Sequence, residues 1–299
     1  MIRVKDLDKE FNNFKALKGI NIHVRTGEVY GFIGPNGAGK TTTMNILAGL
    51  SRPTRGECVV NGRDITKLEH PGDLCIGYLP EDPKFYPWMT ARETLLYLSG
   101  KKDADRVLEI LHWIGLSDAG DRRIGGFSRG MKQRLGIGAA IIRNPELFIL
   151  DEPSSALDPE GRSDVIRLIK DLKAMGKTIL LSTHILDDLE RVCDTIGMIS
   201  DGMMLFEKPL VQLQKEYEQP VYDIMPYSSV DADTINALKQ LDGVVSVNES
   251  AASFSVKVVD CLYSKHLLSF FAEHDVFLEY FALRKTRLED LFLKEVKTK

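Results

Sequence analysis

Residues 29–42, reading Val-Tyr-Gly-Phe-Ile-Gly-Pro-Asn-Gly-Ala-Gly-Lys-Thr-Thr, leave few folds open to this chain. They fit Gly-x4-Gly-Lys-[Ser/Thr] at Gly34, Gly39, Lys40 and Thr41, with an apolar strand before them and a helical run at 44–50 after them. Strand, glycine-rich turn and helix in that order separate a phosphate-binding loop from a chance glycine cluster. Lacking Cβ atoms, the glycines let successive N–H groups curl inward. Those amides and the positive end of the following helix make a cradle for a polyphosphate. Gly34, Pro35, Asn36, Gly37, Ala38, Gly39, Lys40, Thr41 and Thr42 are therefore the expected nucleotide-binding set. Lys40 is expected to reach the β/γ-phosphates, and the Thr41 hydroxyl to ligate Mg²⁺.

The flanking sequence predicts an α/β fold. Strands are expected at 2–7 and 20–25, a hairpin around Asn61-Gly62, and buried strands at 74–80, 147–150 and 178–183. Apolar strands alternating with helices argue for a mostly parallel sheet covered on both faces. Between 83 and 144 helical patterns dominate, including 91–98 and a helix at 103–116 with Val107, Leu108, Leu111 and Ile114 on one face. This stretch reads as a helical subdomain inserted in the core. Its first loop carries Phe85, Tyr86, Trp88 and Met89, which either bury within the insertion or form a docking patch. Phe11 and Phe14, upstream of the phosphate loop, offer a similar choice. Phe11 is a candidate to stack on an adenine ring, or both rings close a β-layer.

The boundary of the first domain is expected near residue 210, after which 212–219 is polar and linker-like. The remainder, 211–299, suggests strand 221–225, helix 231–241, strands 244–248 and 254–258, a helix bearing Tyr263, Leu267, Phe270 and Phe271, and strand 276–282. That order is the α+β ferredoxin-like pattern. A terminal helix is expected at 287–296. Cys58, Cys75, Cys193 and Cys261 lack metal-ligand spacing and read as small buried hydrophobes in a reducing compartment. No apolar run approaches the ~18 residues that a membrane span needs, so a membrane role is expected to come through a partner. A net charge of −4 argues against a nucleic-acid-binding surface spread over the whole chain and leaves room for a local basic patch; nucleic acid is not expected as a partner.

The phosphate loop alone indicates an NTPase; motifs later in the chain narrow the class. Asp151 ends an apolar strand, where its carboxylate is expected to hold Mg²⁺, and Glu152 beside it is the natural general base for an attacking water. Residues 127–134, Phe-Ser-Arg-Gly-Met-Lys-Gln-Arg, open the helix that runs to that strand. With them the chain resembles the ATP-binding cassette (ABC) ATPases, whose signature Leu-Ser-Gly-Gly-Gln is matched at Ser128 and Gly130. The resemblance extends to residues 154–158 (Ser-Ser-Ala-Leu-Asp), to Ser182-Thr183-His184 and over about residues 2–210.

The resemblance implies a P-loop ATPase core working as a head-to-tail dimer, a homodimer on the simplest reading. Each ATP would sit between one subunit's phosphate loop and the other's Ser128 and Gly130, with His184 acting on the γ-phosphate. Two departures stand out. Glu81 occupies a position that is usually glutamine, and either ligates the metal or faces the partner. Met131 replaces the signature glutamine. Glu81, Arg129 in the signature and the tail at 288–293 are similar to the drug- and antibiotic-efflux branch, in which a separate membrane protein is the permease. The expected function is the ATPase subunit of an exporter, cytoplasmic and held to the inner face of the membrane through its permease. The rivals are a non-membrane ABC ATPase acting on nucleic acid or ribosomes, and a regulatory subunit with weak turnover.

Overall fold

The computed structural model describes residues 1–100, 103–155, 157–216, 220–250 and 253–284. They form two compact units, divided between Leu210 and Val211.

The first unit opens with alternating sequence, and alternation makes strands with one buried face. Strands β1 (Ile2–Phe11) and β2 (Phe14–Val24) form a hairpin turned at Asn12, whose φ is +51°. Strand β3 (Val29–Ile33) is buried along its whole length and leads into helix α1 (Lys40–Leu47). Strands β4 (Arg55–Val60) and β5 (Arg63–Asp64) come next, then β6 (Ile76–Leu79). The inserted helices are α2 (Ala91–Ser99), α3 (Ala104–Trp113) and α4 (Arg129–Ile141). After them the chain forms β7 (Leu147–Asp151), α5 (Pro159–Ala174), β8 (Thr178–Ser182), α6 (Leu186–Glu190), β9 (Thr195–Ser200) and β10 (Met203–Pro209).

These strands build two sheets. One is antiparallel, in the order β2-β1-β4-β5. The other has the order β10-β9-β3-β8-β7-β6, parallel except for the antiparallel edge strand β10. Ile2, Leu7, Leu17 and Ile22 of the first sheet share a core with Tyr30, Phe32, Ile149 and Leu180 of the second and with Met44 and Leu47 of α1. The expected mixed, mostly parallel P-loop core is thus the one found.

The second unit holds helix α7 (Leu210–Glu216, whose first residue closes the first unit), then β11 (Val221–Pro226), α8 (Ala232–Gln240), β12 (Val244–Ser250), β13 (Ser253–Val258), α9 (Ser264–Glu273) and β14 (Leu278–Leu283). Its sheet has the order β12-β13-β11-β14, antiparallel throughout, which is the ferredoxin-like arrangement. Tyr222, Ile224, Phe254 and Val256 on one sheet face pack with Leu238 of α8 and with Leu267, Phe270 and Phe271 of α9.

Several expectations are corrected. On α3, Leu108 is 49% exposed, and Ile110 takes its place in the buried stripe with Val107, Leu111 and Ile114. The polar stretch expected as a linker is helical as far as Glu216, because α7 starts ahead of it at Leu210 and runs into it. Strand β6 begins only at Ile76, since Cys75 turns the chain with φ +50°. Of the four cysteines only Cys58 and Cys193 are buried; Cys75 is exposed and Cys261 intermediate. Phe11 and Phe14 close no β-layer: both are exposed, Phe11 by 48%. Burial pushes the Cys58 thiol up to about 12, as its place in the core requires. The terminal helix expected at 287–296 lies outside the described residues.

Candidate functional site

Parallel register brings the chemistry to one edge. In β3 and β8, Phe32 pairs with Ser182, and in β7 and β8, Asp151 pairs with Ser182. The turns that carry Gly34–Lys40, Glu152 and His184 therefore leave the sheet side by side at its carboxyl edge, where open α/β sheets bind ligands. Leu79 of β6 pairs with Leu150, so Glu81 leaves the same edge one strand further out, exposed to solvent.

The phosphate loop is shaped by close approach. A Cβ on Gly34 would lie 2.2 Å from the Ile199 carbonyl oxygen on β9, so only glycine fits. Gly37 and Gly39 have φ +81° and +109°, the left-handed region that side chains disfavour. Helix α1 starts at Gly39 with no side chain capping it, so its first amides stay available. Thr43, by contrast, turns inward and donates its hydroxyl to the Gly39 carbonyl at 2.9 Å. Thr41 is exposed, and Thr42 half-buried. Lys40 is buried and folds back on the loop, donating Nζ to the carbonyls of Gly34 at 2.7 Å and Pro35 at 3.3 Å. Pro35, Asn36 and Ala38 complete the loop, with the Ala38 N–H on the Pro35 carbonyl at 3.2 Å.

The acidic side is more constrained. Asp151 is buried, and its Oδ1 accepts the Ser182 hydroxyl proton. Its Oδ2 is buried with no hydrogen-bond partner. Glu152 sits in the left-handed region at φ +51°, unusual for a residue with a side chain. Its N–H donates to both the carbonyl and the hydroxyl oxygen of Ser182, each at 3.1 Å. Its Oε2 lies 2.8 Å from Nδ1 of His184. An ionised carboxylate only accepts, so with Glu152 charged the proton of this contact is on Nδ1. The Glu152 side chain is 8% exposed and that of His184 58%, so the imidazole stands between the glutamate and solvent.

Ser128 and Gly130 occupy the first turn of α4. Ser128 is its N-cap and accepts the Met131 N–H at 3.2 Å, and the residue is exposed. Phe11, at the hairpin tip, holds the Lys9 ammonium 4.6 Å from its ring centroid. In the insertion loop Tyr86 and Trp88 are both exposed, their rings 5.0 Å apart.

Sequence reasoning missed three supports. Gln133, buried on α4, donates Nε2 to the carbonyls of Glu152 at 3.3 Å and Pro153 at 3.2 Å. Ser154 donates to Asp188 on α6 at 2.9 Å, with both residues buried. Tyr78 donates to Asn45 of α1 at 2.9 Å, and burial aided by the Asp151 charge pushes its phenol up to about 12. A neutral amide on the helix face that also buries Ile137 and Ala140 was the one available signal for Gln133.

Comparison with known proteins supplies the family. Residues 17–155 match the family model described as ABC transporter. The chain is 36% identical over 302 residues to the uncharacterised ABC transporter ATP-binding protein YxlF of Bacillus subtilis, covering 99% of each chain. It is 42% identical over 219 residues to the bacitracin transport ATP-binding protein BcrA of Bacillus licheniformis, covering 72% of each. Among solved structures it resembles a dimeric ATP-binding cassette in a post-hydrolysis state with ADP and inorganic phosphate. The TM-score is 0.66 and the identity 28%, over 70% of this chain and 99% of the other. With a relative 36% identical and matched from end to end, and a phosphate loop beside Asp151, Glu152 and His184 at one sheet edge, this chain belongs to the ATP-binding subunits of ABC transporters.

Proposed function

We propose that the chain powers export through a separate membrane-embedded permease, hydrolysing ATP as a head-to-tail dimer. ATP binding and hydrolysis come with the family; the residue roles, the dimer geometry and the direction belong to the proposal. One observation carries it: Glu152, the only acid at the sheet edge bonded to a histidine among the described residues, emerges beside the phosphate loop.

The residues present suit Mg²⁺. Asp151 Oδ2 is a buried carboxylate oxygen without a partner, and the exposed Thr41 hydroxyl opens α1. Among the described residues no group of three His, Cys, Asp or Glu side chains forms a self-sufficient metal cage. That suits an ion held by one or two protein oxygens together with substrate phosphates. Thr41 and Asp151 would hold the ion, with Glu81 a further oxygen at the same edge, and Mg²⁺ when bound neutralises charge developing on the phosphates.

The chain's own groups do the rest. The loop amides from Gly37 to Thr42 hold the phosphates, and Lys40 exchanges its carbonyl partners for phosphate oxygens. Phe11 presents an exposed ring to the adenine. Glu152 takes a proton from the attacking water as the water oxygen bonds to the γ-phosphorus and the bond to the β-phosphate oxygen breaks, releasing ADP and phosphate. Donation from His184 Nδ1 fixes the carboxylate that receives that proton, and leaves Nε2 for the γ-phosphate. Ser128 and Gly130 of a second copy close the site, using an exposed helix N-terminus whose dipole favours an anion.

Transport needs a partner, because no helix among the described residues is long and apolar enough to cross a membrane. The exposed Tyr86–Trp88 pair is a docking surface of the composition that interface centres favour. The bacitracin transport relative supports the drug- and antibiotic-efflux branch, and a place on the inner face of the cell membrane follows from such a permease.

The test is Glu152→Gln in the full chain with MgATP. The expected result is a stable nucleotide-bound dimer by light scattering with turnover abolished. A monomer that hydrolyses at the wild-type rate overturns the assignment.

A further inference from the structure

We infer that Gln133 is a positioning residue for hydrolysis, fixing the Glu152 backbone and tying that glutamate to the helix that begins at Ser128. A primary amide buried in a helix is costly unless its donors are met. Gln133 is 1% exposed, and Nε2 crosses from α4 to the turn after β7 to meet two successive carbonyls, those of Glu152 and Pro153. Glu152 needs such help. Its left-handed φ of +51° persists only where the surroundings over-determine it.

Three residues supply the anchors. Ser182 on β8 holds the N–H, and His184 beyond β8 holds the carboxylate. Gln133 on α4 holds the carbonyl side. Without it the Glu152 carbonyl loses its anchor and the residue is free to relax toward an ordinary φ, carrying the carboxylate away from the water it must deprotonate.

Helix α4 is well placed to act as a unit. A Cβ on Gly136, three residues past Gln133, would lie 2.6 Å from Leu79 Cδ1 and 3.1 Å from Pro83 Cγ, so the helix lies tight against the end of β6. A shift of α4 at its first turn is therefore transmitted to Gln133, about 7.5 Å along the axis from Ser128. In the proposed dimer, Ser128 contacts the nucleotide of the other subunit's site, whereas Gln133 holds the glutamate of its own. Closing one site thus sets the geometry of the other. This coupling rests on the dimeric reading above; the grip on Glu152 does not.

The experiment compares wild type, Gln133→Met and Gln133→Asn in the full chain. Methionine keeps the volume without donors, and asparagine keeps the amide but falls a methylene short. Steady-state ATPase gives kcat, KM and the Hill coefficient, and a fluorescent ATP analogue gives Kd. The expected result is a kcat lower by about 10- to 100-fold in both variants, with Kd unchanged and the Hill coefficient falling toward one. Wild-type kcat in Gln133→Met overturns the inference. So does a loss of nucleotide affinity in step with kcat in both variants, which would make the amide merely structural. A lower kcat with an unchanged Hill coefficient keeps the positioning role and overturns the coupling. Failure of the wild type itself to hydrolyse ATP would instead strike at the proposed function.

Discussion

Gly34 and Gly37 stand three residues apart in the same loop and are glycines for different reasons. At Gly34 an added Cβ would meet the Ile199 carbonyl oxygen at 2.2 Å, a backbone atom that cannot step aside. At Gly37 nothing lies within 4 Å, and only the φ of +81° resists a side chain. Gly34→Ala should then cost about 1–3 kcal/mol or more through forced backbone shifts, with loss of nucleotide binding. Gly37→Ala should cost about 1–2 kcal/mol of left-handed strain. Urea titration of both variants measures the ranking, and equal losses would contradict it. The motif makes both glycines legible in the sequence, because a phosphate cradle demands them together. Ser182 and Gln133 are not legible as supports of the site, because they act on backbone atoms or on the Asp151 carboxylate through contacts that only the folded register creates. Ser182→Ala removes the partner of Asp151 Oδ1, and an unpaired buried group costs about 1–3 kcal/mol. Thermal melting should register that loss, together with a reduced kcat; an unchanged melting temperature would mean that Asp151 finds another donor.

Helix α3 shows how far periodicity reaches at the scale of an element. Val107, Leu111 and Ile114, spaced four and three residues apart, form one stripe in the sequence, and all three are buried. Leu108 and Ile110 flank that stripe on opposite sides, so sequence alone does not say which side meets the core. Packing against α2 and α4 selects Ile110, fully buried, and leaves Leu108 in solvent. Ile110→Ala should therefore cost about 2–5 kcal/mol, and Leu108→Ala within about 0.5 kcal/mol. Denaturant midpoints of the two variants decide it, and the reverse order would restore the face drawn from sequence. Helix ends are easier to read. Asp158-Pro159 announces the start of α5, and the Asp158 side chain does accept the Gly161 N–H at 2.9 Å. Helix α7 escapes a sequence reading because its exposed polar residues mimic a linker; only the buried Leu210 and Leu213 betray it.

Over the whole molecule, each unit carries its own core, and the second contributes none of the nucleotide-site motifs. Its sheet order can be drawn from sequence because each strand and helix has its own apolar pattern. Its ion pair cannot. Arg284, just past β14, donates Nε to Asp223 Oδ2 of β11 at 2.9 Å, and also reaches Asp223 Oδ1 and the Ser255 hydroxyl of β13. One guanidinium thus ties three strands together. Its hydrogen bond holds the Asp223 carboxyl below the usual carboxylate range, against the opposing effect of partial burial. The folded-state value is depressed, so the stabilisation is fully present above the unfolded value of about 3.9 and is lost as pH falls through the folded one. Asp223 is partly exposed, so solvent and salt screen the pair and its share at neutral pH is modest. Asp223→Asn should lower the urea midpoint of this unit slightly at pH 7. It should also flatten the fall in stability below about pH 4 relative to the parent chain, since the other acidic groups are common to both. Urea titrations of parent and variant at pH 7 and in the acid range test this directly. Parallel stability curves would show that Arg284 holds the strands together without drawing on the Asp223 charge.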